Sequence, residues 1–136
     1  MTFHYNVDGG YPEMAGRAST KFKSVLKDLG VDPSVIRRVS IAMYEGEINM
    51  VIHANGGDIR CEVEPDKIRV VLADQGPGIP DVELAMQAGW STASQEAREL
   101  GFGAGMGFPN MKKYSDDLDV QTEVGVGTTL TLDFLI

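Results

Sequence analysis

"DIRCEVEPDKIRVVLADQGPGIPD", residues 58–81, is the stretch on which the fold turns. Two β-rich runs, Asp58 to Val63 and Lys67 to Leu72, flank a short turn at Glu64-Pro65-Asp66. That arrangement predicts an antiparallel hairpin. A turn rich in glycine and proline, DQGPGIPD, closes the second run. The parallel βαβ alternation of a doubly wound fold is therefore missing.

Outward from the hairpin the elements read as follows. TFHYNV alternates as a first strand, and a turn at DGGYP follows it. From Ala15 to Leu29 the apolar positions Ala18, Phe22, Val25, Leu26 and Leu29 recur at helical spacing, with Gly30 as the stop. Asp32-Pro33 has the form of an N-cap followed by a first helical residue. The helix it opens carries Val35, Ile36, Val39, Ala42, Met43 and Ile48 and runs to about His53, where NGG ends it. Beyond the hairpin, a short helix is predicted over 81–87. Another begins near Phe108 and runs through Asn110 to Tyr114. Leu118 to Glu123 and Thr128 to Leu135 form a last hairpin around GVG. Hairpins with helices inserted between them predict an α+β two-layer sandwich, a mixed and mostly antiparallel sheet with helices on one face.

Composition bounds the function. The chain has 136 residues, the length of one domain, and 43% of them are hydrophobic, enough for a core. The N-terminus lacks a basic start and an apolar stretch, and no run is long enough to span a bilayer, so neither a secretory signal nor a membrane anchor is expected. Cys61 is the single cysteine, which excludes an internal disulfide and a cysteine zinc cluster and fits a reduced, cytoplasmic setting. A net charge of −8 argues against non-specific nucleic-acid binding. It leaves nucleotides open, because glycine loops and helix N-termini bind phosphate without net positive charge.

Three stretches look chemical. In YEGEINMVIHANGG, Glu45 and Asn49 stand one turn apart on one helix face, with His53 a turn further on. The plain reading is a solvated stripe with a Glu–Asn hydrogen bond. The chemical one is a carboxylate base beside an amide oxygen able to bind Mg²⁺. Glu47 points elsewhere on the helix and is expected in solvent. In DQGPGIPD, Asp74 ends a strand before Gly76 and Gly78. This is either a simple tight turn or an acid that accepts from an exocyclic amine while glycines admit a flat ring. In GFGAGMGFPN, Gly101, Gly103, Gly105 and Gly107 precede a helix. They form a flexible surface loop or a phosphate cradle of backbone N–H groups. The spacing fits neither the dinucleotide fingerprint nor a Walker A loop.

Taken in order, E-x-x-x-N, D-x-G-x-G, G-x-G-x-G and the closing Gly125-Val126-Gly127-Thr128 resemble the GHKL ATPase superfamily, whose nucleotide fold is the Bergerat fold. In size and in the wording DQGPGIPD…GWSTAS the chain is most similar to the anti-sigma-factor and switch serine/threonine protein kinases, and the resemblance covers nearly the whole chain. It implies one ATP-binding domain over 1–136, with ATP and Mg²⁺ as cofactors. Glu45 takes the place of the general base and Asn49 that of the Mg²⁺ ligand. Asp74 matches the reader of the adenine amine, with Gly76, Gly78 and Ile79 beside the ring and Thr128 supporting it. Gly101, Gly103, Ala104, Gly105, Met106 and Gly107 match the glycine stretch under the phosphates, and Trp90 to Phe102 the lid. The implied partner is a STAS-domain, anti-anti-sigma-like protein as substrate. A sigma factor and a second copy in a homodimer are further candidates, and neither nucleic acid nor membrane is among them. One departure is visible. The family's first helix often carries an Arg toward the γ-phosphate. Here that place is Ser19, and Arg17 and Lys21 are out of register. The departure keeps a second expectation in view, a nucleotide-gated module that holds a sigma factor or other regulator without transferring phosphate.

Overall fold

The computed structural model describes residues 1–9, 15–54, 56–76, 78 and 107–136. The elements are β1 (Thr2–Asp8), α1 (Arg17–Asp28), α2 (Pro33–His53), β2 (Gly56–Val63), β3 (Lys67–Asp74), α3 (Gly107–Tyr114), β4 (Asp117–Glu123) and β5 (Gly127–Leu135). The five strands form one sheet in the order β1-β2-β3-β5-β4. Every neighbouring pair is antiparallel, so the sheet has none of the parallel pairing that a mixed sheet would carry. The predicted helix over 81–87 lies outside the described residues.

Period-two patterning sets the two faces of this sheet. Phe3, Cys61, Val70, Leu132 and Leu118 lie in one cross-strand row, and Tyr5, Ile59, Leu72, Leu130 and Val120 in another. Both rows turn toward the helices and join the core, in which Ile59, Cys61, Val70 and Leu132 are fully buried. The intervening row, His4, Arg60, Val71, Thr131 and Asp119, faces away. On that outer face Arg69 reaches Asp133 with two bonds of 2.7 and 3.0 Å. The Arg69 guanidinium holds the Asp133 carboxyl below its usual range.

The Asp32-Pro33 signal starts α2 as expected. Asp32 Oδ1 accepts from the Ser34 backbone N–H at 2.8 Å, and Pro33 fills the first helical position, where no N–H is needed. Val35, Ile36, Val39, Ala42 and Met43 are buried along it. Gly46 sets how closely the helix lies on the sheet, because a Cβ there would stand 2.8 Å from Leu72 Cδ2. α1 buries Ala18, Phe22 and Leu26, and Phe22 packs against Phe3 and Tyr5 of β1. Leu29, predicted on its apolar stripe, is 40% exposed just past the helix end. No helix among the described residues is long and apolar enough to cross a membrane.

Glu47 overturns its reading as a solvated residue. It is 1% exposed and faces the first turn of α1. Its carboxylate accepts from the backbone N–H groups of Gly16 (2.9 Å), Ala18 (3.2 Å) and Ser19 (2.9 Å), and from the Ser19 hydroxyl (2.7 Å). These N–H groups belong to the set that every helix start leaves without an intrahelical partner. Gly16, the N-cap residue, offers no side chain to serve them and holds a φ of +96° that few other residues adopt. The anion is therefore supplied from α2.

Candidate functional site

Two residues apart on a helix means opposite faces. While Glu47 turns to α1, Glu45 turns to α3. Asn110, in the first turn of α3, donates from Nδ2 to Glu45 Oε1 at 3.3 Å. The Glu–Asn bond along α2 is not the one made: Glu45 pairs across to α3 instead. Asn49 lies one turn along the same face, half-buried and without a hydrogen-bond partner among the described residues. A Cβ at Gly107 would lie 3.6 Å from Glu45 Oε2. The start of α3 and the Glu45 carboxylate are thus neighbours. Burial pushes the Glu45 carboxyl above its ordinary value, and the Asn110 hydrogen bond pulls it partly back. At the end of α2, burial lowers the proton affinity of His53.

The second part of the site lies where β3 meets β5. Asp74 is the last residue of β3. Its Oδ1 accepts from the Gly76 N–H at 2.9 Å and from the Thr128 N–H at 3.2 Å. Thr128 is 4% exposed, and its hydroxyl shares a 2.9 Å hydrogen bond with Thr122 on β4. Two donors on one oxygen fix the carboxylate plane and leave Oδ2 without a partner among the described residues. Gly76 presses on α2, since a Cβ there would fall 2.5 Å from Ala54 Cβ. Gly78 has φ +80°, and a Cβ there would lie 2.5 Å from the Glu123 carbonyl oxygen. The turn after β3 is therefore wedged between the end of α2 and the β4–β5 turn by residues too small to be replaced.

Of the residues singled out in the sequence, Glu45 and Gly107 come together where α2 meets α3, with Asn49 one turn along α2, and Asp74, Gly76, Gly78 and Thr128 at the β3–β5 end. Ile79, Gly101, Gly103, Ala104, Gly105, Met106 and the Trp90 to Phe102 segment lie outside the described residues. Sequence reasoning missed Asn110 as the partner of Glu45, and Thr122 behind Thr128. Nothing local marks either: Asn110 reads as an ordinary early helix residue, and Thr122 sits on the opposite strand of a hairpin. Among the described residues no three His, Cys, Asp or Glu side chains cluster as a metal centre. A cation here would rest on the Asn49 oxygen and on a bound ligand's own oxygens. A hard cation such as Mg²⁺ accepts that donor set, since it uses few protein ligands where phosphates are present.

Residues 11–134 match the family model described as histidine kinase-like ATPase domain. The chain is 30% identical over 112 residues to the serine/threonine-protein kinase RsbT of Bacillus subtilis, covering 79% of this chain and 78% of that protein. It is 35% identical over 109 residues to the anti-sigma F factor of Caldanaerobacter subterraneus subsp. tengcongensis, covering 75% of this chain and 73% of the relative. Among solved structures, the RsbU and RsbW domains of Rv1364c from Mycobacterium tuberculosis superpose with a TM-score of 0.67 at 17% identity, over 99% of this chain and 32% of theirs. The structural likeness bears out the two-layer α+β architecture, and the relatives bear out the resemblance to anti-sigma and switch kinases. On the family match and these identities, the chain belongs to the histidine kinase-like ATPase domain family.

Proposed function

We propose that the chain is an ATP-dependent serine/threonine protein kinase that phosphorylates a STAS-domain, anti-anti-sigma-like partner, and that residues 1–136 act as one ATP-binding domain. Supporting the single-domain reading, β1 and the C-terminal hairpin β4–β5 complete the same sheet. The cytoplasm, where ATP and Mg²⁺ are plentiful, is the setting this activity needs. The observation that carries the reading is the α2 face itself. Glu45 and Asn49 stand one turn apart on it, and Glu45 is half-buried, raised in proton affinity and turned to the start of α3.

Phosphoryl transfer needs placement and charge neutralisation more than covalent help. In this reading Asp74 accepts the adenine amine on Oδ2, held in plane by the bonds to Gly76 and Thr128 on Oδ1. Gly76 and Gly78 keep side chains away from the ring. In this reading the N–H groups of Gly107 and Phe108, in the first turn of α3 where no intrahelical acceptor serves them, donate to phosphate; Pro109 contributes none. Asn49 is the Mg²⁺ ligand, and the ion, when bound, neutralises phosphate charge. Glu45 takes the proton of the Ser or Thr hydroxyl, and its raised proton affinity suits a base working nearer neutral pH.

Ser19, tied to Glu47 in the place expected for a γ-phosphate arginine, favours a second reading: a nucleotide-gated holder of a regulator that transfers nothing. One experiment separates them. The purified chain is mixed with MgATP and each STAS-domain protein of the same genome, and native mass spectra are recorded. A partner gaining one phosphate, lost with Glu45→Gln while ATP still binds, establishes the kinase. A stable complex without added phosphate establishes the holder. Retained ATP binding in Asp74→Asn would refute the adenine assignment.

A further inference from the structure

The positive charge of this acidic chain is concentrated in one place. Four of its twelve Lys and Arg residues, Arg17, Lys21, Lys23 and Lys27, lie within the twelve residues of α1, beside a single acid, in a chain of net charge −8. None of the four forms an ion pair among the described residues; the pairs found there use Arg38, Arg60 and Arg69. Arg17, Lys21 and Lys23 line an open groove of about 750 Å³ between α1 and α2, together with Gly16 and the apolar side chains of Ile41 and Tyr44. No acidic side chain among the described residues lines it. Arg17 and Lys21 also border a smaller cavity of about 390 Å³ against β1, where the acids are Asp8 and Glu47. The Glu47 carboxylate is already engaged by the α1 amides and so does not pair with them. That same clamp holds the first turn of α1 against α2 and so fixes where Arg17 and Lys21 stand. Tyr44, whose ring lies 2.8 Å from where a Gly16 Cβ would be, is the neighbour of Glu45 in α2. The groove therefore runs up to the residue next to the proposed base.

We propose that this α1–α2 groove is the docking surface for an acidic segment of the phospho-acceptor protein, its carboxylates on Arg17, Lys21 and Lys23 and its apolar side chains on Ile41 and Tyr44. The proposal rests on the kinase reading for the identity of the occupant. Its basis is charge complementarity: unpaired cations beside apolar side chains select a segment of opposite sign.

The test uses the full chain and a library of serine-centred peptides with randomised flanks. Binding is measured directly, without ATP. Wild-type chain is expected to enrich Asp and Glu together with an apolar residue. Arg17→Glu/Lys21→Glu should weaken the selected peptide by about tenfold or more, with binding that falls steeply as salt is raised. The neutral pair Arg17→Gln/Lys21→Gln should show a smaller loss in the same direction, which guards against a charge-reversed chain that fails to fold. ATP affinity and the thermal midpoint of the neutral pair are expected to match wild type. Absence of acidic enrichment, or equal affinity in both variants, overturns the proposal. So does a wild-type dimer that the charge reversal dissolves, since the occupant would then be a second copy. Acidic peptides that bind, while no STAS-domain partner gains phosphate from MgATP, leave the docking surface standing and remove the kinase reading. Phosphorylation without acidic selection does the reverse.

Discussion

Glu47→Gln isolates the clamp between α2 and α1. Glutamine keeps the size of the side chain and replaces one acceptor oxygen with an NH₂ group, which can only donate. Four donors converge on the native carboxylate, two on each oxygen. With the amide nitrogen at the Oε2 position, the Gly16 and Ala18 N–H groups lose their acceptor. In the other orientation the Ser19 N–H loses its own, while the Ser19 hydroxyl can rotate to accept. At least one buried donor is orphaned either way, and a donor is set against donors. Each unsatisfied buried donor costs about 1–3 kcal/mol, and a charged acceptor lies at the upper end of that range. The expected loss is about 2–4 kcal/mol, a large part of the roughly 5–15 kcal/mol that holds a domain. Urea unfolding followed by circular dichroism measures it. At a slope of about 2 kcal/mol per molar the midpoint should fall by about 1–2 M, with the slope itself unchanged. Ser19→Ala provides the second edge of a double-mutant cycle. The two substitutions should combine to about 1 kcal/mol less than their sum, because they share one bond. A Glu47→Gln midpoint within about 0.2 M of wild type would show that the α1 amides are served equally well by water, and the clamp argument would fail.

Other outcomes follow from the same structure. The acid limb of the pH–rate profile for transfer should lie above the ordinary range of a glutamate, and Asn110→Ala should move it further up, because it removes a hydrogen bond that lowers Glu45. A limb at the usual glutamate value in both would deny Glu45 its place as base. Gly78→Ala forces a Cβ against the Glu123 carbonyl at a φ of +80° and should cost about 1–3 kcal/mol in thermal unfolding. The displaced turn should weaken nucleotide binding along with it, read by titration with a fluorescent nucleotide. Burial pushes the Cys61 thiol up to about 12. Iodoacetamide at mildly alkaline pH should therefore leave the native chain unmodified and label it only in denaturant, as mass spectrometry would report.

Legibility in the sequence followed the range of the interaction. The β2–β3 hairpin, the Asp32-Pro33 start of α2 and the final hairpin around GVG were readable because turn and cap chemistry is set within a few residues. The periodic burial of α1 was readable for the same reason. Glu47 was not: as one acid among polar neighbours it reads as solvated, and its partners lie 28 to 31 positions back along the chain. The same distance hid the pairing of β1 with β2 and of β3 with β5, which fix the strand order. At the site, Glu45, Asn49 and Asp74 stood out by residue type and spacing. Asn110 and Thr122 came into view only once α3 was packed on α2 and β4 was paired with β5.

The pairing of β1 bears on how the chain assembles. Thr2 meets Glu62 and Asp8 meets Gly56, so this contact closes a loop containing both long helices, whereas β2–β3 and β4–β5 zip between near neighbours. Loop closure is slow when the ends are far apart in sequence, so the β1–β2 pairing and the still wider β3–β5 pairing, Ala73 with Thr129, are the two late closures, and β1 joins in one of them. Until it does, β2 is an open edge with Ile59 and Cys61 beneath it and Phe22 uncovered, the kind of surface on which nascent chains associate edge to edge. The first eight residues thus cover the β2 edge and Phe22, and extensions fused ahead of Met1 will be felt in refolding yield.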